Sequence, residues 1–346
     1  MEIWSMGYVT WATIIVPPLL MTLVYVLGIL YRFKTPLANV DHIRMDGKTV
    51  VITGASAGIG KEAARDMARR GARVILGCRN IPKSTKVAED IQRTTGNKAV
   101  FVKQLDTSSL TSVRRFADQI LAEETRIDVL ILNAGIAGLD DRNLTADGLE
   151  YTMATNHFGH FLLTNILLGR IKESKPSRVV VVSSDSLAET VKIDDWGAWT
   201  FHCFPFQNLN FEKGGFGPYK SYCQSKSCNV LFSCRLAQLA RQDGVIVNSM
   251  NPGLVYTEIF DKSGGVFVGQ FFRLLVPFLG KTEVQGAQTI IYLAAAEETG
   301  KIAGKFFEDC KISSTADALL RDEDLAKQVW EASESLVSLQ PNEKHY

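Results

Sequence analysis

Two kinds of apolar pattern alternate along most of this chain. Short, nearly continuous apolar runs are bounded by glycine or polar residues, and they read as buried strands at Thr49–Thr53, Arg73–Cys78, 99–105, Val129–Leu132, 178–183, 244–249 and near 303–307. Between them lie longer stretches with an apolar residue every third or fourth position, clearest at 109–124, 150–171 and 221–240. A last amphipathic helix is expected over 322–336. Strands that are apolar on both faces and alternate with helices predict an α/β fold. The sheet is expected to be doubly wound and parallel, with about seven strands and helices on both sides.

One stretch breaks this rhythm. Residues 8–31 carry no charge, and crossing a bilayer takes about 20 residues. Trp11, Tyr25 and Tyr31 suit the interfaces, and Pro17-Pro18 is better tolerated in lipid than in a soluble helix. A cleaved leader would have a basic start and a small-x-small site after the run, and both are missing. The expectation is therefore a retained transmembrane helix. Arg32 and Lys34 follow the run and only Glu2 precedes it, which puts the rest of the chain in the cytosol. The resulting organisation is an anchor at 1–31, a linker at 32–46, the α/β domain at 47–315 and a C-terminal helix and tail at 316–346.

Charge and cysteines narrow the function classes. The formal net charge of +1 comes with no basic block, which argues against nucleic acid as a partner. The six cysteines form no C-x-x-C pair and no metal spacing, so they read as reduced thiols and no metal is implied.

The candidate chemistry begins at the end of the first strand. Residues 53–60 read T-G-A-S-A-G-I-G, a glycine turn between a strand and a helix. Glycine allows positive φ and a close approach of diphosphate to backbone, and the helix N-terminus offers free N–H groups to that anion. Gly54, Ser56, Gly58, Ile59 and Gly60 are the candidate contacts, so the sheet is read as Rossmann-type. An NAD site carries an acidic residue about 20 positions on, for the ribose hydroxyls. Here Arg79 stands at the end of the second strand, suited to a 2′-phosphate and to NADP(H). Asp106, closing the third strand, either accepts from the adenine amino group or caps the next helix. Asn133-Ala134-Gly135 ends the fourth strand with small residues that let the backbone pass close to the cofactor. The fifth strand ends in Ser183-Ser184. Tyr222-x-x-x-Lys226 places a phenol and an ammonium on one helix face, where the cation is expected to lower the tyrosine pKa. Tyr219 has Cys223 four residues on and lacks such a partner.

These motifs, with Asn156 and Asn251-Pro252-Gly253, stand in the order of the short-chain dehydrogenase/reductase family, which the chain resembles over residues 47–304. The stretches 156–162 and 222–232 resemble the membrane-anchored retinol dehydrogenase group. The resemblance implies direct hydride transfer without a metal. Tyr222 would be the general acid, and Lys226 would lower its pKa and hold the nicotinamide ribose. Ser184 would bond the substrate oxygen, with Ser183 the alternative one register away. Asn156 would hold a water linking Lys226 to solvent, and Pro252, Gly253 and Thr257 would fix the nicotinamide amide. Many family members pair through the helices of the Asn and Tyr motifs, so a homodimer is one expectation and an anchored monomer the other.

The chain departs from the group in an aromatic-rich segment at 196–216, either a wall of the substrate pocket or a surface excursion burying its own rings. A second apolar stretch, 264–280, is too interrupted to span a bilayer and suits a lid, a membrane-dipping patch or core packing. The expected protein is a membrane-anchored NADP(H)-dependent oxidoreductase of lipophilic alcohol/carbonyl pairs, in the endoplasmic reticulum with its catalytic domain facing the cytosol. Retinal/retinol is the first expected substrate. The alternatives are a sterol, a polyprenyl or a fatty aldehyde, and the rival class is a non-catalytic NADP(H)-binding scaffold or redox sensor.

Overall fold

The computed structural model describes residues 16–34, 36–38, 40, 42–187, 189–193, 199–203, 206, 208–255 and 280–346. Strand β1 (Thr49–Thr53) leads into α2 (Gly58–Arg69), β2 (Arg73–Cys78), α3 (Ile81–Thr95), β3 (Val100–Gln104), α4 (Leu110–Glu123) and β4 (Val129–Leu132). Helix α5 (151–173) contains one π-helical turn at Ala154–Phe158. Then come β5 (Ser177–Val182), the hairpin β6 (Glu189–Ile193) and β7 (Trp199–Cys203), α6 (Pro218–Leu239) and β8 (Val245–Asn251). The chain closes with α7 (Glu283–Gly286), α8 (Gln288–Ala295), β9 (Phe306–Glu308), β10 (Lys311–Ile312), α9 (Asp317–Arg321) and α10 (Glu323–Leu336).

Among the described residues, eight strands form the main sheet in the order β10-β9-β8-β5-β4-β1-β2-β3. All pairs are parallel except β9–β10. The strand beyond the expected count is β10. Asp309 and Cys310 both take positive φ (47° and 59°) in the two-residue turn that reverses the chain into it. Such a strand is too short to show a periodic signal. Strand order reverses between β1 and β4, whose carboxyl ends therefore border the crevice where open α/β sheets bind ligands.

Both faces of the sheet are covered. On one side Phe116, Phe158, Phe161, Phe232 and Phe306 pack between the sheet and α4, α5 and α6. On the other, Met67, Ile91, Ile290 and Phe307 pack with α2, α3 and α8. Helix α10 closes the first side. Its Trp330 stacks on Phe232 of α6 (5.8 Å between ring centroids) and meets Phe161 of α5 edge-on at 4.9 Å. The chain's own C-terminal helix thus packs against both the Asn helix and the Tyr helix.

The aromatic segment divides. Residues 196 and 204 lie outside the described residues, and β6 and β7 form a separate antiparallel hairpin. Phe206 and Phe211 are buried in the main core, with Phe216 edge-on to Phe211. The apolar stretch 264–279 and Thr257 also lie outside the described residues.

At the amino end, helix α1 (Val16–Lys34) covers the later part of the predicted transmembrane run. Arg32 and Lys34 fall in its last turn. Among the described residues no helix is long and apolar enough to cross a membrane, so the predicted span is not found. Residues 1–15, the other part of that prediction, lie outside the described residues. Beyond α1 the chain is laid onto the domain. Ala38, Val40 and Met45 are buried, Ala38 N–H donates to Gln288 Oε1 (2.9 Å), and the Arg70 guanidinium donates to the Val40 and Ile43 carbonyls.

Candidate active site

The turn after β1 is built to receive an anion. Gly54 has φ +70°, and a Cβ there would stand 2.7 Å from Ala134 Cα. A Cβ on Gly60 would lie 2.3 Å from Asn133 Nδ2. The N-cap of α2 is Ala57, without a side-chain cap, and no acidic residue occupies the first turn. Its leading N–H groups thus keep both their donors and the positive end of the helix dipole for a phosphate. Asn133 locks the two loops together, its Nδ2 donating to the carbonyls of Thr53 (2.9 Å) and Gly54 (3.1 Å).

At the end of β2, Asn80 caps α3 by accepting from Lys83 N–H, and Arg79 stands between the strand and that cap. The Arg79 side chain is exposed and donates to the Tyr151 phenol at 2.8 Å. Asp106 does not cap the next helix, because Ser109 does. Its Oδ1 accepts instead from the N–H and hydroxyl of Ser108.

The candidate proton-handling residues converge from α5, the end of β5 and α6. Tyr222 is half-buried and its phenol is in hydrogen-bond contact with Ser184. Ser184 Oγ also accepts from Ser186 N–H (3.1 Å), while Ser183 is turned away and donates to the Lys226 carbonyl at 2.7 Å. The register thus leaves Ser184, and not Ser183, beside the phenol. The Lys226 ammonium sits 5.7 Å from the centre of the Tyr222 ring and donates to the Val182 carbonyl at 3.3 Å. Gly135 lies close by, where a Cβ would stand 3.4 Å from Asn156 Oδ1 and 3.6 Å from Lys226 Nζ.

Asn156 falls in the π turn, a local widening that is frequent at functional sites. Its Oδ1 accepts from Ile136 N–H (2.9 Å), and its Nδ2 donates to Ile136 O (3.0 Å) and Ser225 Oγ (2.9 Å). Both amide protons serve protein partners, so a water at this residue would be held by an oxygen. The Asn156 carbonyl accepts from Asn229 Nδ2 at 3.1 Å and lies 3.1 Å from His160 Nδ1.

The His160 tautomer follows from its partners. Thr53 Oγ1 already accepts from the N–H groups of Asn133 and Ala134 (2.9 and 3.0 Å), so its own proton goes to His160 Nε2 at 2.8 Å. Nδ1 then carries the hydrogen and donates to Asn156. The imidazole thereby ties the glycine turn to the Asn helix. His157 faces Asn229 Oδ1 (3.2 Å) on one side and Ser333 of α10 (2.9 Å) on the other. His160, Asn229, Ser225 and Thr53 were absent from the sequence-based site. The N-H-x-x-H spacing was the available signal, but His160 meets a partner 107 positions away.

Burial holds both imidazoles neutral, driving His157 down to about 4 and His160 to about 3. In the unfolded chain they titrate near 6.5, so below that pH the unfolded state binds protons that the folded state refuses. Stability should therefore fall as acid is added from 6.5, by about 1.4 kcal/mol per pH unit for each histidine. Urea midpoints taken down to about pH 5 should drop less steeply for His160→Asn than for the parent chain. Equal slopes would show that His160 is already charged in the folded protein.

One expectation is corrected here. Tyr222 was expected to have a lowered pKa, yet burial pushes it up to about 12, opposed by the Ser184 hydrogen bond and reinforced by Asp185. Lys226 is itself driven down to about 8 by burial. Its ammonium faces the ring and the Val182 carbonyl, and burial sets the direction of the phenol's shift.

At the far end of the crevice, Gly253 has φ +75° and its N–H is held by Asn251 Oδ1 (3.0 Å). Asn251 is anchored on Glu308 (2.8 Å), and Lys281 Nζ reaches the Pro252 carbonyl (3.3 Å). Among the described residues no group of three or more His, Cys, Asp or Glu is placed to hold a metal.

The short chain dehydrogenase family model matches residues 48–193. Human retinol dehydrogenase 11 is 42% identical over 297 residues, covering 86% of this chain and 88% of the relative. The chain belongs to the short-chain dehydrogenases. Within them it falls in the retinol dehydrogenase group, since bovine retinol dehydrogenase 12 (41% over 297 residues; 86% and 88% covered) and human retinol dehydrogenase 13 (39% over 301; 85% and 86%) match it as broadly. Among solved structures, a Mycobacterium paratuberculosis protein shares the fold at TM-score 0.64 and 29% identity, covering 88% of this chain and 98% of that one. A Shigella flexneri short-chain dehydrogenase, solved with NADP, matches at TM-score 0.58 and 25% identity, with 77% and 98% covered.

Proposed function

We propose that this short-chain dehydrogenase is a membrane-associated, NADP(H)-dependent oxidoreductase of lipophilic alcohol/carbonyl pairs, with retinal/retinol as the first substrate. The observation that carries the catalytic reading is the meeting of Ser184, Tyr222, Lys226 and Asn156 at the carboxyl end of the sheet. A scaffold would need the cofactor cradle but not a phenol and a serine hydroxyl in contact beside a buried ammonium. When bound, the cofactor supplies the hydride. The protein's own part is to hold the carbonyl oxygen on Ser184 and deliver a proton from the Tyr222 phenol, with Lys226 reaching the nicotinamide ribose.

The preference for NADP(H) rests on Arg79, an exposed guanidinium at the end of β2 where an NAD site would carry a carboxylate. Arg79→Asp is expected to weaken NADPH on the order of tenfold or more and to favour NADH. An unchanged NADPH/NADH ratio would remove Arg79 from the site. The preference for retinal rests on the relatives, which are retinol dehydrogenases at about 40% identity. Attachment to the endoplasmic reticulum, with the domain in the cytosol, rests on the apolar run 8–31 and the basic residues after it.

The deciding experiment is steady-state turnover by detergent-solubilised full chain with NADPH and with NADH. The panel holds all-trans-retinal, a steroid ketone, a polyprenal and a long-chain fatty aldehyde. Turnover of retinal with NADPH is the expected result. Turnover confined to another class would replace the substrate, and none at all with NADPH bound would turn the reading toward a scaffold.

A further inference from the structure

We infer that the surface around Leu37, Val284 and Ile312 is where the catalytic domain rests on the lipid bilayer. The inference rests on the reading above that the amino-terminal run attaches the chain to a membrane, and it adds which face of the domain the membrane meets.

The argument starts from tether length. Helix α1 ends at Lys34, and the backbone is already fixed to the domain at Ala38, which is buried and donates to Gln288. Four residues reach at most about 14 Å, and the headgroup layer on one side of a bilayer is about 5–8 Å thick. If α1 lies in the hydrocarbon, the surface around Gln288 has no room to stand clear of the lipid.

The chemistry of that surface agrees. Leu37 is 70% exposed, Val284 52% and Ile312 54%. They come from three separate elements: the strap after α1, helix α7 and strand β10. Gln288 joins the first two, accepting from Ala38 N–H through Oε1 and donating to the Val284 carbonyl through Nε2 (2.9 Å each). Pro36 and Ile312 line one shallow depression, whose other walls are polar: Glu308, Asp309, Lys311, Ser313 and Ser314. Large aliphatic side chains gathered at one place on a domain surface mark a contact site. Residues of α1 are exposed in the same way, with Leu19 at 63% and Leu23 at 54%.

This face also adjoins the reaction site. Helix α7 starts two residues after Lys281, whose N–H donates to the Leu254 carbonyl (2.8 Å) and whose ammonium reaches the Pro252 carbonyl. A bilayer seated here would lie beside the Pro252-Gly253 end of the crevice, the side from which a substrate dissolved in lipid arrives.

The test is photo-crosslinking of the full chain in phosphatidylcholine nanodiscs. A benzophenone-bearing phenylalanine replaces Leu37, Val284 or Ile312 in turn, with Leu20 in α1 as the insertion control. Phe101, exposed on β3 at the opposite edge of the sheet, is the distal control. Mass spectrometry should find lipid adducts at all three positions, about tenfold above Phe101, because the lipid layer is thin beside the domain. Adducts at Leu20 with only background at 37, 284 and 312 would overturn the docking face and leave the insertion reading intact. Background at Leu20 as well would overturn both.

Discussion

Tyr222→Phe should lower turnover by about 10²- to 10⁴-fold, the range over which a positioned acid or base contributes. Affinity for NADPH, followed by fluorescence titration, should stay as it is. The substitution removes only the hydroxyl. The ring keeps its place over Lys226, at 5.7 Å, and the helix keeps the Ser225-to-Tyr222 carbonyl bond at 2.7 Å. The loss would therefore report proton transfer and not misfolding, provided that the melting temperature is unchanged. Burial pushes this phenol up to about 12, so the free protein holds it neutral near pH 7. That suits carbonyl reduction, in which the developing alkoxide is a stronger base than phenolate and takes the proton downhill. Turnover that survived the change would strip Tyr222 of its role and move the reading toward a scaffold.

The fold was legible because the strands are buried on both faces and so read as continuous apolar runs. The glycine turn was legible because its demands are local: positive φ at Gly54 and no room for a Cβ at Gly60. The Tyr222/Lys226 pairing was also local, set by helix geometry. What escaped the sequence depends on contacts between distant segments. His160 joins Thr53 to Asn156, and Asn229 links the Asn156 carbonyl to His157 and, through it, to Ser333 in α10. No window of the chain contains those partners. The direction of the Tyr222 shift was misjudged for a related reason. Spacing shows that a cation is near, but desolvation depends on everything packed around the group. Of the two roles read for Asp106, the helix cap falls to Ser109, three residues on.

Lys226→Met should cut turnover by about 10²-fold or more, within the range of an acid–base group, and raise the apparent KM for NADPH as well. Methionine is close to lysine in length, and the Val182 carbonyl keeps a second donor in Asn229 at 3.4 Å, so the fold should stand. Two routes to that loss can be separated by pH. Burial holds the Lys226 ammonium down at about 8, so the cation is present below that pH and disappears as pH rises through it. If the charge is needed, by the phenol or by the ribose, kcat/KM of the parent enzyme should fall on an alkaline limb near 8, and that limb should vanish in Lys226→Met. A limb that persists in the variant belongs to another group, and the lysine would then be a packing residue of α6. A lost limb with KM for NADPH unchanged would assign the charge to the phenol alone. A lost limb with raised KM would assign it to the cofactor as well, the outcome expected from an ammonium 3.6 Å from where a Gly135 Cβ would stand, beside the small-residue turn proposed to border the cofactor.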